Sequence, residues 1–254
     1  MKRRDLIKLS ILEAIALSLN PNRVRASSWG YQGETGANFW GELDPEFAAC
    51  GTGQAQSPIN IEGSGYSFDV GSLDFDYRDT PLTIDNNGKT IRVDYQPGSS
   101  LTLDGQKYEL LQFHFHRPSE HLISGMAAAM EAHFVHQDRA TGDLVVLAVL
   151  IAEGETNRAI ESIWQQMAPF ASQTDRVSNL TINALQLLPT NSKRYYRYQG
   201  SLTTPPCSEV VTWLVLKQPI SISKSQLSSF NEVIGNNARP VQALNQRILL
   251  QSDN

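Results

Sequence analysis

The chain has 254 residues, two cysteines, five histidines and a formal charge of −5, with 41% hydrophobic and 19% charged residues. This balance suffices to bury a core and excludes a fibre, a disulfide-dense scaffold, a wholly disordered chain and a bundle of membrane spans. Two cysteines cannot build a four-cysteine zinc module, and a pI near 5.5 argues against a nucleic-acid binder that relies on bulk positive charge.

Met1 to Ala26 differs in character from the rest of the chain. Lys2, Arg3, Arg4 and Lys8 stand at the front, an apolar run of 14 residues extends from Leu6 to Leu19, and Val24-Arg25-Ala26 comes after it. A basic front, a short apolar run and small residues at a cleavage point describe a secretory signal peptide; a membrane-spanning helix needs about 20 apolar residues. Arg3-Arg4-Asp5-Leu6-Ile7-Lys8 resembles a twin-arginine export signal, although Lys2 stands where Ser or Thr is usual and Glu13 interrupts the apolar stretch. An amphipathic N-terminal helix of a cytosolic protein is the alternative. The segment holds six of the 21 basic residues and two of the 26 acidic ones, which leaves 15 and 24 in residues 27–254 and a charge of −9. Such a domain, periplasmic or extracellular, should stay soluble, carry no stable membrane span after cleavage and not cling to nucleic acid or acidic lipid. Cys50 and Cys207 are far apart in sequence, and an oxidising compartment would let them pair, closing a loop worth up to about 5 kcal/mol; two buried free thiols are the alternative.

From Ser27 to Asn254 no repeat or linker divides the sequence, which predicts one domain. Turn signals recur at Asp85-Asn86-Asn87-Gly88, Pro97-Gly98, Asp104-Gly105 and Thr141-Gly142-Asp143, with short strand-like runs between them. Leu111 to His116 and Glu131 to His136 alternate as strands, joined by a reversal through Gly125, and Leu144 to Ile151 is apolar enough for a strand buried on both faces. Ile160, Ile163, Trp164 and Met167 keep helical spacing, as do Leu227, Phe230 and Ile234 after a Ser223 cap. The predicted architecture is mainly β (α+β): a large, mostly antiparallel sheet with a few peripheral helices.

All five histidines fall between His114 and His136. Strand alternation sends Gln112, His114 and His116 to one face, with the two imidazoles about 7 Å apart along the strand. The same rule puts Glu131, His133 and Val135 on a common face of the next strand. Three imidazoles from rigid strands, with no fourth protein ligand, suit a catalytic zinc site, whose open position holds water. Gln112 and Glu131 are placed to accept from the far ring nitrogens of these ligands. His121 lies off the alternating face and His136 has the opposite parity to His133, so both read as structural hydrogen-bonding groups.

Taken together, these strings resemble an α-class carbonic anhydrase of the exported bacterial type. The resemblance is carried by Trp29-Gly30-Tyr31, Gln56-Ser57-Pro58-Ile59-Asn60-Ile61, Asn86-Asn87-Gly88, Gln112 to His116, Pro118-Ser119-Glu120-His121, Glu131-Ala132-His133, Ser201 to Cys207 and Asn237-Ala238-Arg239-Pro240. It implies a central twisted, mostly antiparallel ten-stranded sheet with short peripheral helices, and a zinc lyase that hydrates CO₂ to bicarbonate through a zinc-bound hydroxide. It implies His114, His116 and His133 as zinc ligands, with Gln112, Glu131 and the Asn237 carbonyl behind them. Thr203 matches a gatekeeper hydroxyl whose proton Glu120 accepts. Val135, Val146, Leu202, Val211 and Trp213 would form an apolar wall for CO₂, with Thr204 at the mouth; plain core packing is the other reading of the apolar members. Cys50 and Cys207 occupy the positions of a disulfide seen in exported members.

The sequence departs from the family's fast members where a proton-carrying histidine follows Asn-Asn-Gly: here it is Lys89, and no other histidine remains to replace it. A lysine with an ordinary pKa of about 10.4 is protonated at neutral pH and accepts a proton poorly. Proton export would then be slow, or rely on buffer, on water past Tyr31 or on a depressed Lys89 pKa; a solvated turn lysine is the alternative. A related binding domain that has lost catalysis, and a zinc hydrolase of larger substrates, are the competing functions. Relatives of the first kind usually lack a ligand histidine, and the second would need a general base other than Glu120.

Overall fold

The computed structural model describes residues 28–62, 66–67, 70–167 and 173–252, so the predicted signal segment, Met1 to Ala26, lies outside the described residues. The strands, in chain order, begin with β1 (Asn60–Ile61), β2 (Tyr66–Ser67), β3 (Leu73–Asp76), β4 (Thr80–Asn86), β5 (Ile91–Asp94) and β6 (Ser100–Leu103). Next come β7 (Gln106–His116), β8 (Leu122–Ile123), β9 (Met126–Ala127), β10 (Met130–Gln137), β11 (Leu144–Glu153) and β12 (Gln173–Ile182). β13 (Tyr195–Gly200), β14 (Val211–Leu216), β15 (Ile220–Ile222) and β16 (Leu250–Gln251) complete them.

Among the described residues, 13 strands form one sheet whose main path is β12-β4-β5-β7-β10-β11-β14-β13-β16-β2. The path has the expected ten strands, but β3, β6 and β15 widen the sheet beyond them. The physical reason is strand length: β7 spans 11 residues, so its first part pairs with β6 while its second part pairs with β5. Pairing within this sheet is antiparallel except for β11 with β14 and β15, and β16 with β2. A small sheet, β1-β8-β9, carries the reversal through Gly125, whose φ of +79° suits glycine.

The helices α1 (Trp40–Leu43), α2 (Ala49–Thr52), α3 (Arg158–Trp164) and α4 (Lys224–Val233) are short. Ser223 caps α4 through a capping box, its Oγ accepting from Gln226 N–H while Gln226 Oε1 accepts from Ser223 N–H. The predicted periodicity of α3 runs to Met167, but the helix ends at Trp164. Gln166 and Met167 donate to Ile163 and Trp164 instead, a tightened last turn that still packs Met167 against the core.

Alternation on the central strands divides the core into two layers. Val145, Leu147, Val149 and Ile151 of β11 join Phe113, Phe115 and Phe134 in the larger cluster, which α3 and α4 cover through Trp164 and Phe230. Val146 and Ala148 face the other way with Val135 and Trp213. A third cluster joins Trp40 to the Cys50–Cys207 disulfide, so neither cysteine is a free thiol.

His136 belongs to the core. It is fully buried, 2.7 Å from the Tyr77 hydroxyl and stacked on that ring. Burial pushes its pKa down to about 3, opposed by the carbonyls of Val145 and Phe134. An unfolded histidine takes up its proton near pH 6.5, whereas the folded one stays neutral to far lower pH. The stabilisation is therefore complete above pH 6.5 and declines as pH falls from there towards about 3. We predict that the urea midpoint falls less steeply from pH 7 to 4 in His136→Gln than in the parent; parallel curves would contradict this.

Candidate metal centre

The pairing of β7 with β10 sets His114 opposite His133 and His116 opposite Glu131. Because His114 and His116 are two residues apart on a strand, they share the face that His133 meets from across the ladder. The ring centroids lie 5.0 Å (His114 to His116), 5.4 Å (His114 to His133) and 4.5 Å (His116 to His133) apart. One nitrogen from each ring lies within 4.8 Å of the others.

Each ring is held by its far nitrogen. Gln112 Oε1 lies 2.9 Å from His114 Nδ1, the Asn237 carbonyl 2.8 Å from His116 Nδ1, and Glu131 Oε1 2.8 Å from His133 Nε2. These bonds leave Nε2 of His114, Nε2 of His116 and Nδ1 of His133 for a cation, and His116 Nε2 is buried without a hydrogen-bond partner. Burial holds the His114 pKa well below the ordinary imidazole value, assisted by His116, His133 and Arg92. Burial also lowers that of His116, against the pull of Glu120. Neutral imidazole is the form that binds metal.

His121, Glu131 and His133 form a second close group of potential ligands, yet their atoms are occupied with one another. Glu131 Oε1 meets His121 Nδ1 at 2.6 Å as well as His133 Nε2, and Oε2 accepts from the His121 backbone N–H at 2.8 Å. Burial by itself would raise the Glu131 pKa, but His121 and His133 hold it well below the carboxylate range. The Tyr198 hydroxyl continues the chain, 2.7 Å from His121 Nε2 and 2.9 Å from Ser57 Oγ. His121 is thus a hydrogen-bonded core residue.

Above the three imidazoles lies a cavity of about 350 Å³. Its apolar lining, Val135, Val146 and Trp213, comes from β10, β11 and β14, with Leu202 beside them. Its polar lining, including Asp85, Arg92 and Gln112, comes from β4, β5 and β7, so polar and apolar lining strands lie on opposite sides of the β7–β10 seam in strand order. Trp29, Tyr31, Thr204 and Pro205 complete the lining. Val211 is not among the residues that line this cavity directly. It is fully buried in the apolar cluster that also holds Trp213, two residues further along β14.

Thr203 lines the cavity and is 5% exposed. Glu120 is buried near the ligands, with Oε1 accepting from Arg239 N–H at 2.8 Å and Oε2 without a hydrogen-bond partner. No hydrogen bond joins Thr203 to Glu120 among the described residues; Glu120 Oε2 lies 3.9 Å from His133 Nδ1. Lys89 is half-buried at the cavity, its Nζ 4.8 Å from the centre of the Trp29 ring. Its backbone is pinned on both sides, with N–H donating to Asn87 Oδ1 and the carbonyl accepting from Asn237 Nδ2.

The cavity also holds Asp85, Thr90 and Arg92, which sequence reasoning missed. The signal was the alternation Ile91-Arg92-Val93-Asp94, which sends Ile91 and Val93 into the core and leaves Arg92 directly across from His114. Arg92 is fixed there by Asp85 at 3.1 Å and Asp94 at 2.9 Å.

Residues 35–253 match the family described as eukaryotic-type carbonic anhydrase. A carbonic anhydrase of Nostoc sp. is 41% identical over 260 aligned residues, covering 98% of this chain and 97% of that protein. One from Klebsiella pneumoniae is 42% identical over 93% of this chain and 96% of its own length. The solved α-carbonic anhydrase of Thermovibrio ammonificans, in complex with sulfanilamide, superposes with a TM-score of 0.85 at 41% identity, covering 89% of this chain and 99% of that one. With the family matched over most of the chain and its three imidazoles gathered beneath one cavity, this chain belongs to the α-class, or eukaryotic-type, carbonic anhydrases.

Proposed function

We propose that this carbonic anhydrase is an exported zinc enzyme, in which residues 1–26 act as a cleaved signal peptide and residues 27–254 form the working domain. As a member of its family it catalyses the reversible hydration of CO₂ to bicarbonate and a proton, and the family's histidine triad implies zinc. The Cys50–Cys207 disulfide supports an oxidising compartment, and the relatives from Klebsiella and Nostoc are bacterial. No helix among the described residues is long and apolar enough to cross a membrane.

The observation that carries the catalytic reading is the set of three imidazoles, His116 and His133 buried and His114 half-buried, each tied by its far nitrogen, with His116 Nε2 left unpaired. Three imidazole nitrogens, with no fourth ligand in the group among the described residues, fit a zinc ion that keeps an open position. Zinc supplies Lewis acidity and lowers the pKa of a coordinated water to about 7, carbonic anhydrase being the standard example. In this assignment His114, His116 and His133 bind the metal, while Gln112, Glu131 and the Asn237 carbonyl fix ring tautomer and orientation. Glu120 accepts the Thr203 proton, so the Thr203 oxygen must accept in its turn and orients the reacting water. Val135, Val146, Leu202 and Trp213 offer apolar CO₂ a weakly solvated surface, and Thr204 stands where product leaves.

The released proton has no histidine to carry it. His116, His121, His133 and His136 are buried, and His114 is tied to Gln112. Lys89 lines the cavity, but its Nζ lies over the Trp29 ring, 4.8 Å from the centre, in a cation–π contact. Soluble buffer is therefore the acceptor.

The purified mature domain is expected to hold one zinc per chain and hydrate CO₂, and Glu131→Gln should weaken zinc about 10-fold to 100-fold in chelator competition. Stoichiometric zinc without hydration would instead favour a binding domain. In stopped-flow assays, parental turnover should rise with imidazole concentration, and Lys89→His should raise turnover at low buffer and flatten that dependence. High turnover indifferent to buffer would refute the proton route.

A further inference from the structure

Arg239 is 2% exposed, and all the hydrogen-bond partners of its guanidinium are neutral. One terminal nitrogen donates to Gln56 Oε1 at 2.9 Å and to the Ser57 carbonyl at 2.8 Å; the other donates to the Cys50 carbonyl at 2.9 Å. The group also lies over the Trp40 ring, 5.6 Å from its centre. A buried cation without a bonded carboxylate is costly, and an apolar side chain could fill the volume more cheaply. What only a guanidinium supplies is a rigid fork that ties several acceptors at once.

Those acceptors belong to the segment that holds the Thr203 loop. Gln56 Nε2 donates to the Cys207 carbonyl at 3.0 Å and to Glu209 Oε1 at 2.9 Å. Ser57 N–H donates to Ser201 Oγ at 2.9 Å, and Ser201 N–H donates back to Ser57 Oγ at 3.1 Å. Cys50 is covalently bound to Cys207. At the other end of the same residue, the Arg239 backbone N–H donates to Glu120 Oε1 at 2.8 Å. One residue therefore grips Glu120 with its backbone and the anchors of the Thr203 loop with its side chain.

We propose that Arg239 is a positioning residue that sets the separation of Glu120 and Thr203, with Gln56 as its link to the loop. The proposal rests on the reading of Glu120 and Thr203 as the pair that orients the reacting water. It accounts for a buried charge that touches neither the ligands nor the cavity lining. It also gives the disulfide a part in alignment, because Cys50 and Cys207 both bond to members of this tie.

The test is a mutant cycle in CO₂ hydration, with zinc content and thermal midpoint measured on every variant. Arg239→Lys, which keeps the charge but loses the fork, is expected to lower kcat/KM about 10-fold to 100-fold with one zinc per chain retained. In a Glu120→Gln background the same change should cost little more, since the positioned group is already lost. Gln56→Met leaves Arg239 intact and cuts only the link, and it should show the same non-additivity with Thr203→Ala. This variant decides the matter if Arg239→Lys does not fold. Parental kcat/KM in Gln56→Met and Arg239→Lys, or equal fold losses in both backgrounds, would overturn the proposal, because a purely structural role predicts a lower thermal midpoint and independent effects. Full activity in Glu120→Gln and Thr203→Ala would instead overturn the orienting-pair reading, and this proposal with it.

Discussion

β7 and β10 pair with His114 opposite His133 and Glu131 opposite His116, and the side-chain period of two makes this register all or nothing. A slip of one residue would turn the histidines into the phenylalanine core and bring Phe113, Phe115 and Phe134 to the cavity. Burial of those three rings therefore holds the metal site in place without touching it. The preference is strong because both faces are committed, one to apolar packing and the other to hydrogen bonds that need particular partners. β11 continues the division: Val146 reaches the cavity while Val145 and Leu147 stay in the core.

Burial of polar groups on the cavity face is tolerable only because nearly all of them are paired. Glu131 is the clearest case, a carboxylate with no exposure that meets two imidazole nitrogens and a backbone N–H. Removing any of these partners would leave a charge or a ring nitrogen stranded, at a cost well above that of an ordinary hydrogen bond. The network reaches Ser57 through His121 and Tyr198, and Ser57 clasps Ser201 at the start of the Thr203 loop. Ligand geometry and loop geometry thus share one hydrogen-bonded frame. Among the buried atoms left without a hydrogen-bond partner, His116 Nε2 and Glu120 Oε2 belong to groups assigned to the chemistry, and Arg239 Nε to the tie that holds the loop.

Local periodicity made much of this legible in the sequence. The alternation of Gln112 to His116 and Glu131 to His136 placed the three ligands and two of their supports on one face, and the Ser223 cap located α4. Contacts distant in sequence carry no local pattern. The Asn237 carbonyl reaches His116 across 121 positions and is accessible from the sequence only through the family resemblance. Val211 has the parity of Trp213, and alternation alone does not say which of the two reaches the cavity. The width of the sheet escaped because two strands share the length of β7, and the end of α3 because a tightened turn keeps Met167 in helical phase without a helix.

The proposed catalysis rests on zinc held by Nε2 of His114, Nε2 of His116 and Nδ1 of His133, with Glu131 not bonded to it. Anomalous diffraction from crystals of the zinc-loaded mature domain tests this directly. The predicted result is one zinc peak bonded to those three nitrogens and one non-protein oxygen, with Glu131 still hydrogen-bonded to His121 and His133. A peak within bonding distance of Glu131, or in the His121–Glu131–His133 group, would contradict it.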